Sequence, residues 1–262
     1  MASAFDLGLV RGDGIFESLL VRHGGVRGLS AHLSRMSCSA ERLGMQAPDR
    51  SAWASLAAAC ADGWPPEVEG VLKLVITRGL EGMPGPPTCF ATLAPVTPET
   101  LRQRREGVAV RLLCLGVASD ERGRCPWLLG GTKSLSYAVS MAAVRHANAA
   151  GAHDVVFTST DGYVLEGPTS TVVWASGGTL RTPSPESGIL AGTTQADLFE
   201  HAENGGWPTS VEATTPADLL SADAVWLVSS VRGAAAVTAI DGVPRGDSGL
   251  TPTVHRLLDL LN

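Results

Sequence analysis

Gly130-Gly131-Thr132-Lys133-Ser134-Leu135-Ser136-Tyr137 sets one lysine among small residues at the mouth of an apolar helix. Lysine is scarce in this chain: Lys73 and Lys133 are the only two, and arginine carries the rest of the positive charge. Lys73 lies inside the apolar run Val71-Leu72-Lys73-Leu74-Val75, so only Lys133 has glycines and hydroxyls around it. A partly desolvated lysine can shed its proton, and the neutral amine is a nucleophile towards an aldehyde. An exposed residue at a helix start would look the same in this window, so the rest of the chain has to decide.

Upstream, residues 14–22 read as a strand and 32–43 as a helix capped by Ser30, with Leu33, Met36, Ala40 and Leu43 as its apolar stripe. A second helix is expected over 51–61. Strands follow over 70–78 and 88–95, separated by the turn Gly79-Leu80-Glu81-Gly82-Met83-Pro84-Gly85-Pro86-Pro87. Residues 95–107 are polar and arginine-rich and read as a linker, and 108–117 read as another strand. Downstream of Lys133 the pattern gives a helix over 136–149 and a hairpin of 154–160 with 163–176, turning at Asp161-Gly162. Gly177-Gly178 turns into the strand 179–183, and a helix opens at Gly192-Thr193-Thr194. The strand Ala224-Val225-Trp226-Leu227-Val228 and a C-terminal helix close the chain. Strands and helices mix without strict alternation, so the fold class is mixed α/β (α+β).

Four features bear on chemistry. At Gly192-Thr193-Thr194 the unpaired N–H groups and dipole of a helix start favour an anion, and two hydroxyls add donors; a plain N-cap would look alike. Ser229-Ser230-Val231-Arg232-Gly233 after an apolar strand offers a second nest, or an ordinary turn. His32 and Arg35, three apart, share one helical face, where the arginine could fork onto a phosphate or simply meet solvent. Glu166, in the apolar stretch Tyr163-Val164-Leu165-Glu166-Gly167, is either solvent-facing or set against a cation. A protonated pyridine nitrogen would be such a cation. Taken together, a nucleophilic lysine, a carboxylate and three phosphate-donor clusters describe a site for pyridoxal 5′-phosphate.

Composition narrows the field. The chain has 262 residues with 44% hydrophobic and 18% charged, enough for one large or two small domains. A net charge of -6 leaves no basic footprint for nucleic acid or an anionic membrane. The sequence has no apolar run long enough to span a bilayer, and its first residues, without a basic region followed by an apolar core, do not read as a secretory signal. Five scattered cysteines without paired spacing argue against a metal site or disulfide framework, and read as small buried residues of a reducing, cytoplasmic protein.

The order and spacing of motifs resemble the class IV aminotransferase family, the fold-type IV pyridoxal-phosphate enzymes. The likeness runs through Gly12–Val21, His32–Met45, Gly70–Gly79, Gly131–Ala143, Asp154–Trp174, Gly188–Phe199 and Val225–Gly242. It implies a two-domain homodimer with the cofactor between the domains: a smaller domain over 1–98, a linker over 99–107 and a larger cofactor-binding domain over 108–262. It implies Lys133 as the Schiff-base lysine, Glu166 as partner of the pyridine nitrogen, Tyr137 near the ring hydroxyl, and Arg35, Thr193, Thr194 and Ser230 around the phosphate. Arg78, Arg232 and Arg11 are candidates for the substrate's carboxylates. The sequence departs from the family in having Thr171 where asparagine is frequent, and in beginning close to Gly12-Asp13-Gly14.

Within the family, Phe16 stands where D-amino acid transaminases carry an aromatic hydroxyl, and Arg78 is not followed by their Arg-x-His. Branched-chain enzymes are longer, with a glycine-rich segment after the lysine. The short chain, Gly70–Gly79 and Lys133–Tyr137 look most like 4-amino-4-deoxychorismate lyases, which make 4-aminobenzoate and pyruvate for folate synthesis. The competing expectations are a class IV aminotransferase acting on a branched-chain or D-amino acid, and a non-catalytic protein that binds a phosphate ligand.

Overall fold

The computed structural model describes residues 3–46, 49–83 and 85–259. The chain divides into two compact units, Met1–Thr97 with Thr132–Tyr137, and Pro98–Gly131 with Ala138–Asn262. The expected turn after Thr77 includes Pro84, which lies outside the described residues.

Unit 1 runs α1 (Leu7–Val10), β1 (Gly14–Arg22), β2 (Gly25–Val26), α2 (Leu29–Arg42), α3 (Arg50–Ala61), β3 (Gly70–Thr77) and β4 (Thr88–Pro95). Its sheet has the order β2-β1-β3-β4, antiparallel throughout. Period-two alternation puts Ile15, Leu19 and Val21 of β1 and Leu72, Leu74 and Ile76 of β3 into one core with Leu33, Met36 and Ala40 of α2 and Trp53 and Ala57 of α3. Gly28, in the left-handed region at φ 61°, is the N-cap of α2, two residues before the expected Ser30 cap, so Ser30 lies inside the helix. β2 covers only Val21 and Arg22 of β1. The other half of that edge is covered by the chain around Lys133: Leu135 N–H donates to Gly14 O at 2.8 Å, and Phe16 N–H to Lys133 O at 3.0 Å.

Unit 2 runs α4 (Pro98–Glu106), β5 (Val108–Cys114), α5 (Glu121–Arg124), α6 (Ala138–Ala149), β6 (Asp154–Thr158), β7 (Thr171–Ser176), β8 (Thr179–Pro183), α7 (Thr193–Asn204), β9 (Thr209–Glu212), α8 (Pro216–Ser221), β10 (Ala224–Ser229), β11 (Gly233–Ile240), β12 (Val243–Pro244) and α9 (Thr251–Asp259). Its mixed sheet has the order β6-β5-β11-β10-β7-β8-β9, with β12 beside β11. Along β10, Ala224, Trp226 and Val228 pack with α7 and α9, while Val225 and Leu227 pack on the opposite face with Leu219 of α8. A strand buried on both faces explains the unbroken apolar run.

Four expectations change. The segment 99–107, read as a linker, is α4: Pro98 and Glu99 open it, Arg104 and Arg105 close it, and Arg102 bonds Glu99 and Glu106 along its exposed face. The hairpin of 154–160 with 163–176 does not form as one ladder, because β7 pairs with β10 and residues 163–167 make only isolated bridges, Thr158 with Val164 and Gly167 with Ser170. β11 is a strand that the alanine-rich sequence did not announce. All five cysteines are free thiols, yet none is buried: Cys38, Cys89 and Cys114 are exposed, and Cys60 and Cys125 are half-buried. No helix among the described residues is long and apolar enough to cross a membrane.

Candidate active site

In unit 1, Lys133 is buried, with 9% of its surface exposed. Its backbone is fixed on both sides: its N–H donates to Ser39 Oγ at 3.2 Å and its carbonyl accepts from Phe16. The amine stands 4.7 Å over the Phe16 ring and 3.4 Å from Tyr137 Oη. Phe16 and Tyr137 meet edge to face at 5.2 Å, so the two rings form an aromatic corner around the amine.

Arg35 and His32 share a face of α2, as their spacing requires, and that face meets a carboxylate. Glu17 Oε1 accepts from Arg35 Nε at 2.8 Å and Oε2 from Arg35 Nη2 at 2.6 Å, while His32 Nδ1 lies 2.7 Å from Oε2. The fork foreseen for a phosphate is therefore occupied by Glu17. Burial, the largest single influence, pushes the Glu17 carboxyl up. The hydrogen bonds and charges of Arg35 and His32 outweigh it and bring the group down to about 2. An ionised carboxylate can only accept, so the proton between the pair sits on His32 Nδ1.

In unit 2, Glu166 is mostly buried and holds two donors: Arg122 Nη1 at 3.1 Å on Oε1 and Leu190 N–H at 3.0 Å on Oε2. Arg122 reaches it because the chain packs closely on α5. A Cβ at Gly130 would come 2.4 Å from Arg122 O, so this position admits only glycine. The first glycine of the lysine motif thus seats the partner of Glu166.

Thr193 opens α7 behind the N-cap Gly192, which has no side chain to cap the helix. Thr194 Oγ1 donates to Ser230 Oγ at 3.3 Å, so the two expected phosphate-donor clusters come together. Gly192 has an ordinary φ of −75° and is needed for space: a Cβ would lie 2.3 Å from Thr171 Oγ1.

The three arginines proposed for substrate carboxylates each meet a carboxylate of the chain. Arg11 is exposed and pairs with Glu81. Arg78 donates to Asp13 Oδ2 and to Leu43 O, both at 2.7 Å. Arg232 is buried, with Nη1 donating to Asp154 Oδ2 at 2.8 Å and Gln103 Oε1 at 3.0 Å. Sequence reading passed over Glu17, Arg122, Ser39 and Phe16 as parts of these clusters. Glu17 carried the same signal as Glu166, a carboxylate in an apolar strand. Arg122, 44 residues from Glu166 in sequence, carried none.

The family model for amino-transferase class IV matches residues 14–240. A bifunctional aminodeoxychorismate lyase / D-amino acid transaminase of Mycobacterium tuberculosis is 44% identical over 91% of this chain and 86% of its own length. Solved structures of a hypothetical aminotransferase from Mycobacterium tuberculosis, in a PLP-bound form and an alpha-ketoglutarate and PMP bound form, superpose with a TM-score of 0.97 at 41% identity, covering 100% of this chain and 93% of that one. The 4-amino-4-deoxychorismate lyase from Pseudomonas aeruginosa superposes with a TM-score of 0.78 at 29% identity, over 98% of this chain and 94% of that one. With its two sheets, its lysine motif and a family match spanning most of its length, the chain belongs to the class IV aminotransferase family.

Proposed function

We propose that this protein is a pyridoxal-phosphate enzyme that cleaves 4-amino-4-deoxychorismate to pyruvate and 4-aminobenzoate, as a cytoplasmic homodimer serving folate synthesis. The observation that carries this reading is Lys133, a buried amine at an aromatic corner in a chain 44% identical to a bifunctional lyase and transaminase. The cofactor's needs fit the residues present. An aldehyde needs an amine, a ring nitrogen needs a carboxylate, and a phosphate needs donors such as the helix start at Gly192, which no side chain caps.

In this reading Lys133 is the amine that would hold the cofactor's aldehyde. Glu166, oriented by Arg122 and Leu190 N–H, would accept from a protonated ring nitrogen. Thr193, Thr194 and Ser230 would hold the phosphate, and Arg35, gripped by Glu17 along its Nε–Nη2 edge, would add its charge. When bound, pyridoxal phosphate supplies an electron sink for the pair left by proton loss. The released Lys133 amine, neutral at this point, takes the proton from the carbon that bears the substrate's nitrogen. Breaking the C–O bond on the neighbouring ring carbon would then make the ring aromatic, and Lys133 would return its proton to the departing enolpyruvyl group, which leaves as pyruvate. The Tyr137 hydroxyl, 3.4 Å away, orients the amine between these steps.

A second reading, D-amino acid transamination, is favoured by the double description of the 44% identical relative. The two differ in the cofactor's fate, since transamination leaves it as the amine and lyase chemistry restores it each turnover. Purified protein is given aminodeoxychorismate, and 4-aminobenzoate is the expected product. Conversion of the cofactor to its amine form with D-alanine, without any 4-aminobenzoate, would overturn the lyase reading. Borohydride reduction and peptide mapping should place the pyridoxyl group on Lys133; absence of that adduct would leave a phosphate-binding protein instead.

A further inference from the structure

Glu17 lies in the wrong layer for a carboxylate. It occupies the face of β1 that carries Ile15, Leu19 and Val21 into the core of unit 1, and it is 0% exposed. A charge there is costly unless it is paired and hydrogen-bonded. α2 supplies the partners on one face: His32 and Arg35 on Glu17, and Ser39 on the backbone of Lys133. Next to Glu17, Phe16 N–H holds the carbonyl of Lys133 and the Phe16 ring lies under its amine. A polar seam therefore crosses the core from His32 to Lys133.

We infer that Glu17 is a positioning residue for Arg35, fixing the guanidinium's plane before the cofactor's phosphate arrives, with His32 as the brace that fixes Glu17. The inference rests on the proposed phosphate role of Arg35. A guanidinium gripped along its Nε–Nη2 edge can rotate neither about its own axis nor out of the seam. Its long side chain then loses little further freedom on meeting an anion. A neutral residue at position 17 would take away the charged partner that grips Arg35 along this edge. His32 contributes by occupying a lone pair of Oε2 that Arg35 does not use, so the carboxylate cannot pivot. Ser39 ties the same helix to Lys133, so a shift of α2 would move both the lysine backbone and Arg35.

The test compares the apo-protein's affinity for pyridoxal phosphate with that for pyridoxal, which keeps the aldehyde and lacks the phosphate. Glu17→Gln should weaken pyridoxal phosphate by about tenfold, the size seen when a supporting partner of a ligand-holding group is removed, and leave pyridoxal within about twofold. In an Arg35→Ala background Glu17→Gln should add nothing further. His32→Ala should weaken pyridoxal phosphate alone by a few-fold, about one hydrogen bond's worth. His32→Asn, whose amide can replace Nδ1–H, should restore it. Equal weakening of both ligands by Glu17→Gln, or a further loss in the Arg35→Ala background, would overturn the inference. Should Glu17→Gln fail to fold, a folded His32→Ala protein with unchanged affinity for pyridoxal phosphate overturns it just as well. Wild-type protein that takes up no pyridoxal phosphate would instead strike the parent reading. Uptake intact in wild type, weakened in Arg35→Ala and untouched in Glu17→Gln would strike this inference alone.

Discussion

Two regions of the molecule present donors suited to an anion, and they are built on opposite principles. In unit 1, Arg35 brings a full charge into a core and needs a second, opposite charge to be there, so Glu17 and His32 surround it. In unit 2, Thr193, Thr194 and Ser230 offer hydroxyls and a helix start, which need no counter-ion and instead need room, so a glycine stands at position 192. The first device is fixed by charge and is vulnerable to protonation. The second is fixed by volume and is vulnerable to one added methyl group. Substitutions should separate the two by what each fails to tolerate.

The largest effect is expected where neither principle applies and chemistry itself is removed. Lys133→Ala should lower kcat by on the order of 10⁴-fold, the upper range for a positioned base that is also the nucleophile. The fold should survive, because Ser39 and Phe16 bind the backbone of residue 133 and not its side chain. Thermal unfolding of the apo-protein within a few degrees of wild type, with turnover lost, is the expected pair of results. Residual turnover within tenfold of wild type would move the reacting amine elsewhere.

Charge is the next weakness. The folded value of Glu17, about 2, lies below its ordinary 4.5, so protonation favours the unfolded chain. The contribution of the carboxylate to stability is complete above 4.5 and is lost as pH falls from there towards 2, about 3 kcal/mol in all. Denaturant unfolding of wild type and Glu17→Gln across that window should show the gap between them closing as pH falls. A gap that stays constant would mean that the seam does not depend on the ionised carboxylate. No such dependence is expected from the hydroxyl donors of unit 2, and there the comparison is sharpest.

Volume is tested at position 192. Gly192→Ala would bring a Cβ to 2.3 Å from Thr171 Oγ1, and overpacking of this kind costs about 1–3 kcal/mol. The backbone itself can accept alanine, since φ is −75°. The cost should therefore vanish when the opposing oxygen is removed: Gly192→Ala in a Thr171→Ala background should regain most of the stability and cofactor affinity of Thr171→Ala alone. A penalty undiminished in the double variant would mean that the glycine serves the ligand's own approach and not the packing of Thr171.

How much of this the sequence disclosed follows from where each signal lies. Apolar alternation discloses β1 and β3 and an unbroken apolar run discloses β10, and the lysine motif with the two donor clusters is readable because each is contiguous. α4 was taken for a linker because it buries no residue and so has no apolar stripe; its helical signal lay in the charge spacing of Glu99, Arg102 and Glu106. β11 escaped because Ala234 and Ala235, although fully buried, have little strand preference of their own; the neighbouring strands make that choice. The partners of the charged residues were hidden for a topological reason. Arg122 meets Glu166 only through packing around Gly130, whereas Glu17 could have been singled out by the reasoning applied to Glu166.

The smallest effect is predicted for the residue that sequence reading ranked beside two more deeply engaged arginines. Arg11 pairs with Glu81 in the open, its side chain 65% exposed and that of Glu81 44%. An ion pair in water gains little, because solvent screens the attraction and two long side chains lose freedom to make it; the usual worth is about 0–1 kcal/mol. Arg11→Ala should therefore leave the denaturant midpoint unchanged and KM for the substrate within about twofold. Arg35 sets the contrast: the same functional group, placed in a core beside a buried carboxylate, should be costly to lose. A KM raised tenfold or more in Arg11→Ala would show that this exposed cation reaches the substrate, and would extend the charge-based donor set of unit 1 beyond its buried seam.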